Sequence, residues 1–168
     1  TPSQNPISAT PDDGTFTITG VATTISIPDV DVAAGASATV PIMINDVTDP
    51  DGVGTANINL TFDPTVVHVL GVSDANSDFS LVISNIGTGY TTIGASYFGV
   101  TPGPTGDVYL ADVTLEAVGA PGATSPLQIS IVELLDATPS QNPISATPDS
   151  GTFTITGVAT TISIPDVE

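Results

Sequence analysis

Residues 56–62 read ANINLTF, with Ile58, Leu60 and Phe62 on one side of an extended chain and Asn57, Asn59 and Thr61 on the other. Strict alternation of this kind marks a strand with one buried face. The pattern recurs in both directions. Upstream lie Ala38–Asn45, with Val40, Ile42 and Ile44 inward, then Thr24–Ile27, and Thr15–Thr19 with Phe16 and Ile18 inward. Downstream lie Val66–Val72, Ser80–Ser84, Tyr90–Phe98, Val108–Ala117, Leu127–Leu134 and Thr152–Thr156. The segments between them, among them DVAAGAS, NDVTDPDGVG, TPGPTGD and VGAPGATSP, carry the Gly, Pro, Asp and Asn of turns. Helical periodicity is almost absent. About nine short strands at this spacing predict an all-β chain folded as an antiparallel β-sandwich.

The chain also repeats itself. Residues 1–31 and 138–168 agree at 29 of 31 positions, differing only at Asp13/Ser150 and Asp31/Glu168, which sets a period of 137 residues. One domain's worth of chain recurs, so the sequence reads as a window of about one and a quarter units from a tandem array. The complete unit is expected at residues 21–157; residues 1–20 close the preceding unit or act as a donated strand, and 158–168 open the following one. In GTFTITGVATTISIPDV the inward residues are even-numbered before Gly20 and odd-numbered after it, at Ile25 and Ile27. That change of parity places a joint at Gly20–Val21, and again at Gly157–Val158, with no Pro/Ser-rich linker. A stiff line of identical modules is the expectation, either as one long polypeptide or as subunits exchanging strands.

Composition narrows the partners. The chain has no Lys or Arg against 18 Asp and Glu, a formal charge of −18. Nothing can replace the counterions of a phosphate backbone, which excludes nucleic acid. A polybasic membrane patch is excluded likewise, and no apolar run is long enough to insert in a bilayer as a helix. Without Cys there are no disulfides or thiolate metal sites. Stability must come from an ordinary core and sheet hydrogen bonds, for which 40% apolar residues suffice.

Few residues suggest chemistry. Asp46, Asp49 and Asp51 bring three carboxylates into one Gly-containing loop, which suits Ca²⁺ as cofactor; the alternative is a solvated Asp-rich turn. Asp63, before Pro64, reads as a turn residue. Asn59-Leu60-Thr61 is an N-glycosylation sequon, and the outward Thr15, Thr17, Thr19, Thr152, Thr154 and Thr156 invite O-linked glycans, although Thr also suits an exposed strand face. Sheet edges ordinarily carry Lys or similar gatekeepers. With none available, sugars or partner strands are expected to cover them. The single histidine, His68, has no Cys or second His beside it and should face solvent; Tyr90, Tyr97 and Tyr109 are expected to pack in the core or at an edge. No enzymatic constellation emerges.

Two stretches resemble the cohesin family, cohesin-like domains that recur in surface proteins of archaea and bacteria. Val40-Pro41-Ile42, Leu60-Thr61-Phe62-Asp63-Pro64 and Val67-His68-Val69 match the family's early strands, and Ser150-Gly151-Thr152-Phe153-Thr154-Ile155 its closing strand. The resemblance spans the whole unit and implies a nine-stranded jelly-roll sandwich like that of carbohydrate-binding modules. Together with the 137-residue repeat, the linkerless joint, the missing Cys, Lys and Arg and the Thr-rich faces, it leaves a leading function and an alternative. The first is a non-enzymatic building block of an extracellular fibre or surface layer, whose partners are identical copies and attached glycans. The second is a binding module for a dockerin-like partner or carbohydrate.

Overall fold

The computed structural model describes residues 21–157. Eleven strands form among them: β1 (Thr23–Ser26), β2 (Val30–Ala33), β3 (Ser37–Val47), β4 (Val53–Thr61), β5 (Val67–Ser73), β6 (Leu81–Gly87), β7 (Tyr90–Ser96), β8 (Gly106–Ala117), β9 (Thr124–Asp136), β10 (Ala146–Asp149) and β11 (Gly151–Thr156). They make a five-stranded sheet, β10-β1-β3-β8-β5, packed on a six-stranded sheet, β2-β11-β9-β4-β7-β6. No helix forms among the described residues. The all-β sandwich expected from the alternation is the observed fold.

The alternation also decides which side chains meet. Along β4, Ala56, Ile58 and Leu60 are buried while Thr55, Asn57 and Asn59 are half-exposed. Ile25, Ile42, Ile44, Ile93, Leu115, Leu127, Phe153 and Ile155 fill the space between the sheets, each 1% exposed or less. Burying a side chain of this size contributes about 1.5–3 kcal/mol over leaving it in water. Residues 110–113 of β8 are all buried because a bulge opposite Ile42/Met43 inserts Leu110 and resets the strand's facing.

Two short strands depart from the sequence reading. DVAAGAS holds the end of β2 as well as a turn, and β10 precedes the closing strand. Each is four residues long and lies at a sheet edge, too short for alternation to register. Both also break the antiparallel expectation: β1 pairs β10 in parallel, and β2 pairs β11 in parallel. The other pairings are antiparallel.

These parallel pairs arise because both ends of the unit change sheets side by side. The first strand runs through β1 in one sheet, turns at Ile27–Asp29, and continues as β2 in the other. The last runs through β10, turns at Ser150, and continues as β11. Where they cross, Ile27 N–H donates to the Asp149 carbonyl at 3.1 Å, and Thr152 N–H donates to Asp29 Oδ1 at 2.7 Å. A Cβ at Gly151 would stand 2.5 Å from the Pro28 carbonyl oxygen, so only glycine lets the backbones pass.

Candidate partner-binding face

The outward side of the six-stranded sheet is the surface best equipped to receive a partner. From Phe79 to Gly106 the chain has no charged residue, an interval that includes the β6–β7 hairpin. Six of the ten exposed large hydrophobics among the described residues lie there: Leu81, Ile83, Ile86, Tyr90, Phe98 and Val100. Exposed apolar groups gathered in one uncharged segment mark an interaction surface more often than scattered ones do.

Register sets the local relief. Ile83 stands opposite Gly94, and Asn57 stands opposite Gly94 from the other side. Gly94 leaves a hollow floored by backbone and walled by Ile83, Asn57, Asn85 and Thr92. A second hollow, around Leu81, Thr55 and Ser96, adjoins it. Asn57 Oδ1, beside the hollow, is sealed from solvent and has no hydrogen-bond partner among the described residues. Across β4, Glu133 pairs Asn57 at a bulge that pushes Val132 outward, 58% exposed. Around the hollow the face therefore offers aliphatic anchors and amides, with the Glu133 carboxylate across β4 and that of Asp31 farther off on β2.

The loop carboxylates assemble differently from the expected trio. Asp49 and Asp51 come together with Asp136, their nearest oxygens within 4.8 Å of one another. Asp46 stands apart in a left-handed conformation (φ 57°), its N–H donating to Asp107 Oδ1 and its carbonyl accepting from the Thr23 hydroxyl. Sequence reasoning missed Asp136 because β9 brings it from the far end of the unit.

Most of its oxygens are already engaged. Oδ1 accepts from Thr138 N–H, the Thr138 hydroxyl and Asn142 N–H, and Oδ2 accepts from the Asn142 amide at 2.7 Å. The Thr138 hydroxyl foremost holds its carboxyl below the usual carboxylate range, against the opposing effect of burial. Asp49 Oδ1 accepts from Asp51 N–H. Ca²⁺ takes six to eight oxygens, and the group leaves few of its own unspent.

The remaining candidates fall into place individually. Asn59 Oδ1 accepts from the Thr92 hydroxyl at 2.8 Å in the middle of the sheet, half-buried, which holds the sequon amide in a side-chain bond. Thr152 is exposed and Thr154 half-exposed on β11. Thr15, Thr17, Thr19, Gly20 and Val158 lie outside the described residues, as do the flanking segments 1–20 and 158–168. Val21 and Gly157 are exposed at the two ends of the unit, and Ile25 and Ile27 are buried on the inward side.

Asp63 Oδ1 accepts from the N–H and hydroxyl of Thr65, which closes a turn and lowers its pKa. His68 is exposed on β5. Tyr97 packs against the core and Tyr90 is exposed. Tyr109 donates its hydroxyl to Asp112, a bond that retains its proton and raises its pKa.

Comparison with known proteins agrees with this geometry. The family model described as "Cohesin domain" matches residues 23–155. No curated protein sequence matches the chain. Among solved structures, the non-cellulosomal cohesin of the hyperthermophilic archaeon Archaeoglobus fulgidus is 24% identical, with TM-score 0.65, over 80% of this chain and 91% of its own. The seventh ScaB type I cohesin of Pseudobacteroides cellulosolvens superposes with TM-score 0.73 at 15% identity, over 86% of this chain and 99% of its own. A type I cohesin–dockerin complex from Clostridium thermocellum, Coh-OlpA with Doc918, matches with TM-score 0.67 at 14% identity, over 80% and 99%. At these identities the structures establish the sandwich alone, whereas the family model reaches from β1 to β11: the chain belongs to the cohesin family.

Proposed function

We propose that the repeat is a non-catalytic protein-binding module that receives a dockerin-like partner on the outward face of its six-stranded sheet. The observation that carries this reading is the placement of Ile83 and Leu81 on the one long uncharged segment of an acidic chain, beside the Gly94 hollow that Asn57 lines from β4. An aliphatic anchor beside an amide is the usual make-up of an interface centre. The neighbouring Clostridium thermocellum structure is a complex with a dockerin. A partner of this chain must bring any cation the interface uses, because the chain has none.

Calorimetric titration of the 168-residue chain against a panel of type I dockerins tests the reading. Saturable binding lost in Ile83→Asp, with the fold intact, is expected. No binding, or binding indifferent to Ile83, overturns it.

A second reading concerns the array, and the parallel terminal strands favour it. Because β1–β2 and β10–β11 run the same way, the chain comes in near Thr23 at one end of the sandwich and leaves at Thr156 at the other, opposite Ala33. Thr23 to Ala33 spans about 30 Å of strand. Repeats joined through Gly157–Val158 would line up head to tail outside the cell, as a fibre or surface layer. Tension along that line loads the β1–β10 and β2–β11 ladders in shear, all bonds together, rather than peeling them singly. Force spectroscopy of consecutive repeats should give unfolding steps of about 45 nm, the extended length of one repeat. Extension at low force without such steps would refute the load-bearing role.

A further inference from the structure

Four strands lie at sheet edges: β10 and β5 in one sheet, β2 and β6 in the other. Three carry features that discourage further pairing. β10 is short and holds Pro148 and Asp149. β2 is short and holds Asp31. β5 carries exposed His68 and a register shift between Val69 and Gly71. β6 has none of them. It pairs β7 in unbroken register from Leu81 to Gly87, holds no charge and no proline, and has no strand on its other side among the described residues. Even on its inward side Ser84 and Ile86 are exposed, so the strand overhangs the sandwich.

An uncharged edge of this length in unbroken register is a template for another strand. The charge of the chain selects the occupant. With 18 carboxylates and no cation, two copies repel over most of their surface, and the interval Phe79–Gly106 is where they can meet without a carboxylate between them. The strand is also self-complementary. In antiparallel register centred on Ser84, Leu81 faces Gly87, Val82 faces Ile86 and Ile83 faces Asn85.

We infer that two copies pair antiparallel along β6, joining two six-stranded sheets into one continuous sheet with a two-fold axis at Ser84. Such a contact is isologous and closes on itself. In an array every repeat presents one such edge, so weak pairing between neighbouring lines becomes strong by multiplicity.

Sedimentation of the 168-residue chain over rising concentration, at about 0.15 M salt to screen its net charge, tests the inference. A concentration-dependent dimer is expected. Ser84→Asp and Ser84→Lys each set like charges across the axis and should raise the dissociation constant roughly fivefold. An equal mixture of the two variants should dimerise more tightly than either alone. Ser84 is exposed and borders the Gly94 hollow, but it alternates with Ile83 and pairs the inward-facing Ile93, so both variants keep the fold and the Leu81 and Ile83 side chains. A chain that stays monomeric at every concentration overturns the inference, as does a dimer that ignores both substitutions or a mixture no tighter than its components. None of these outcomes bears on dockerin binding.

Discussion

Gly151→Ala tests the crossing on which the unit's closure depends. The added Cβ would lie 2.5 Å from the Pro28 carbonyl oxygen and 2.6 Å from that of Ile27, both backbone atoms. Real Cβ atoms come no nearer than about 3.0 Å, so the two strands must separate by at least half an ångström. Two hydrogen bonds bridge this point, Ile27 N–H to the Asp149 carbonyl and Thr152 N–H to Asp29 Oδ1. Losing both costs about 1.5–4.5 kcal/mol, at about 1–3 for the N–H of buried Ile27 left unpaired and about 0.5–1.5 for the exposed Thr152 bond. The smaller conformational freedom of alanine in the unfolded chain returns about 0.4–1 kcal/mol. A net loss of about 1–4 kcal/mol is expected from a domain whose whole stability is about 5–15. Gly157→Ala, with no atom near its Cβ, is the control and should stay within about 0.5 kcal/mol of the parent. Urea unfolding followed by circular dichroism measures both. If the Gly151 variant unfolds at the midpoint of the Gly157 variant, the tight crossing is not what holds the terminal strands together.

Other substitutions probe the core and the loops. Thr91 is fully buried and its hydroxyl has no hydrogen-bond partner among the described residues, so Thr91→Val should stabilise the fold by about 1 kcal/mol in thermal melts; a loss would mean the hydroxyl is satisfied. The Asp136 carboxyl titrates below its unfolded value, so its contribution is present above the unfolded pKa and lost as pH falls through the folded one. Asp136→Asn should therefore be less stable than the parent near pH 7, the gap narrowing below about pH 4. A gap constant down to pH 2 would refute the linkage. Asp29→Ala removes the acceptor of the exposed Thr152 N–H and should cost about 0.5–1.5 kcal/mol in the same denaturation assay; no change would mean the crossing is held without it.

Long strands were legible in the sequence because β3, β4, β8 and β9 are nine residues or longer, enough for alternation to show even where a bulge interrupts it in β8 and β9. β2 and β10 were not, since four residues at an edge hold too few alternations and Pro148 argues against a strand. Their parallel pairing was illegible for another reason. It depends on both terminal strands changing sheets together, a fact of topology that periodicity does not carry. The face around Ile83 was visible only as an alternating strand, because its hollow needs Gly94 set opposite Ile83 by register. Asp136 joined the loop carboxylates across more than eighty residues of chain. The missing basic residues did point forward, since they raised the question of what covers the sheet edges.

Strand direction reconciles binding with tandem repetition. β4, β6, β7 and β9 are antiparallel neighbours in the sheet that contains β11, and β11 runs toward the end where the unit is left. The outward face of that sheet therefore lies along the line joining the two ends of the unit. A partner seated over Ile83 and Gly94 approaches from the side and leaves Val21 and Gly157 free for neighbouring repeats. The β6 edge also looks sideways, at right angles to the strands within the sheet. Head-to-tail joining, partner docking and edge pairing would thus approach the unit from three separate directions, with β6 giving its backbone edge to one and the Leu81 and Ile83 side chains to another. Had the terminal strands been antiparallel, both chain ends would lie at one end of the sandwich, and each repeat would fold back against the last.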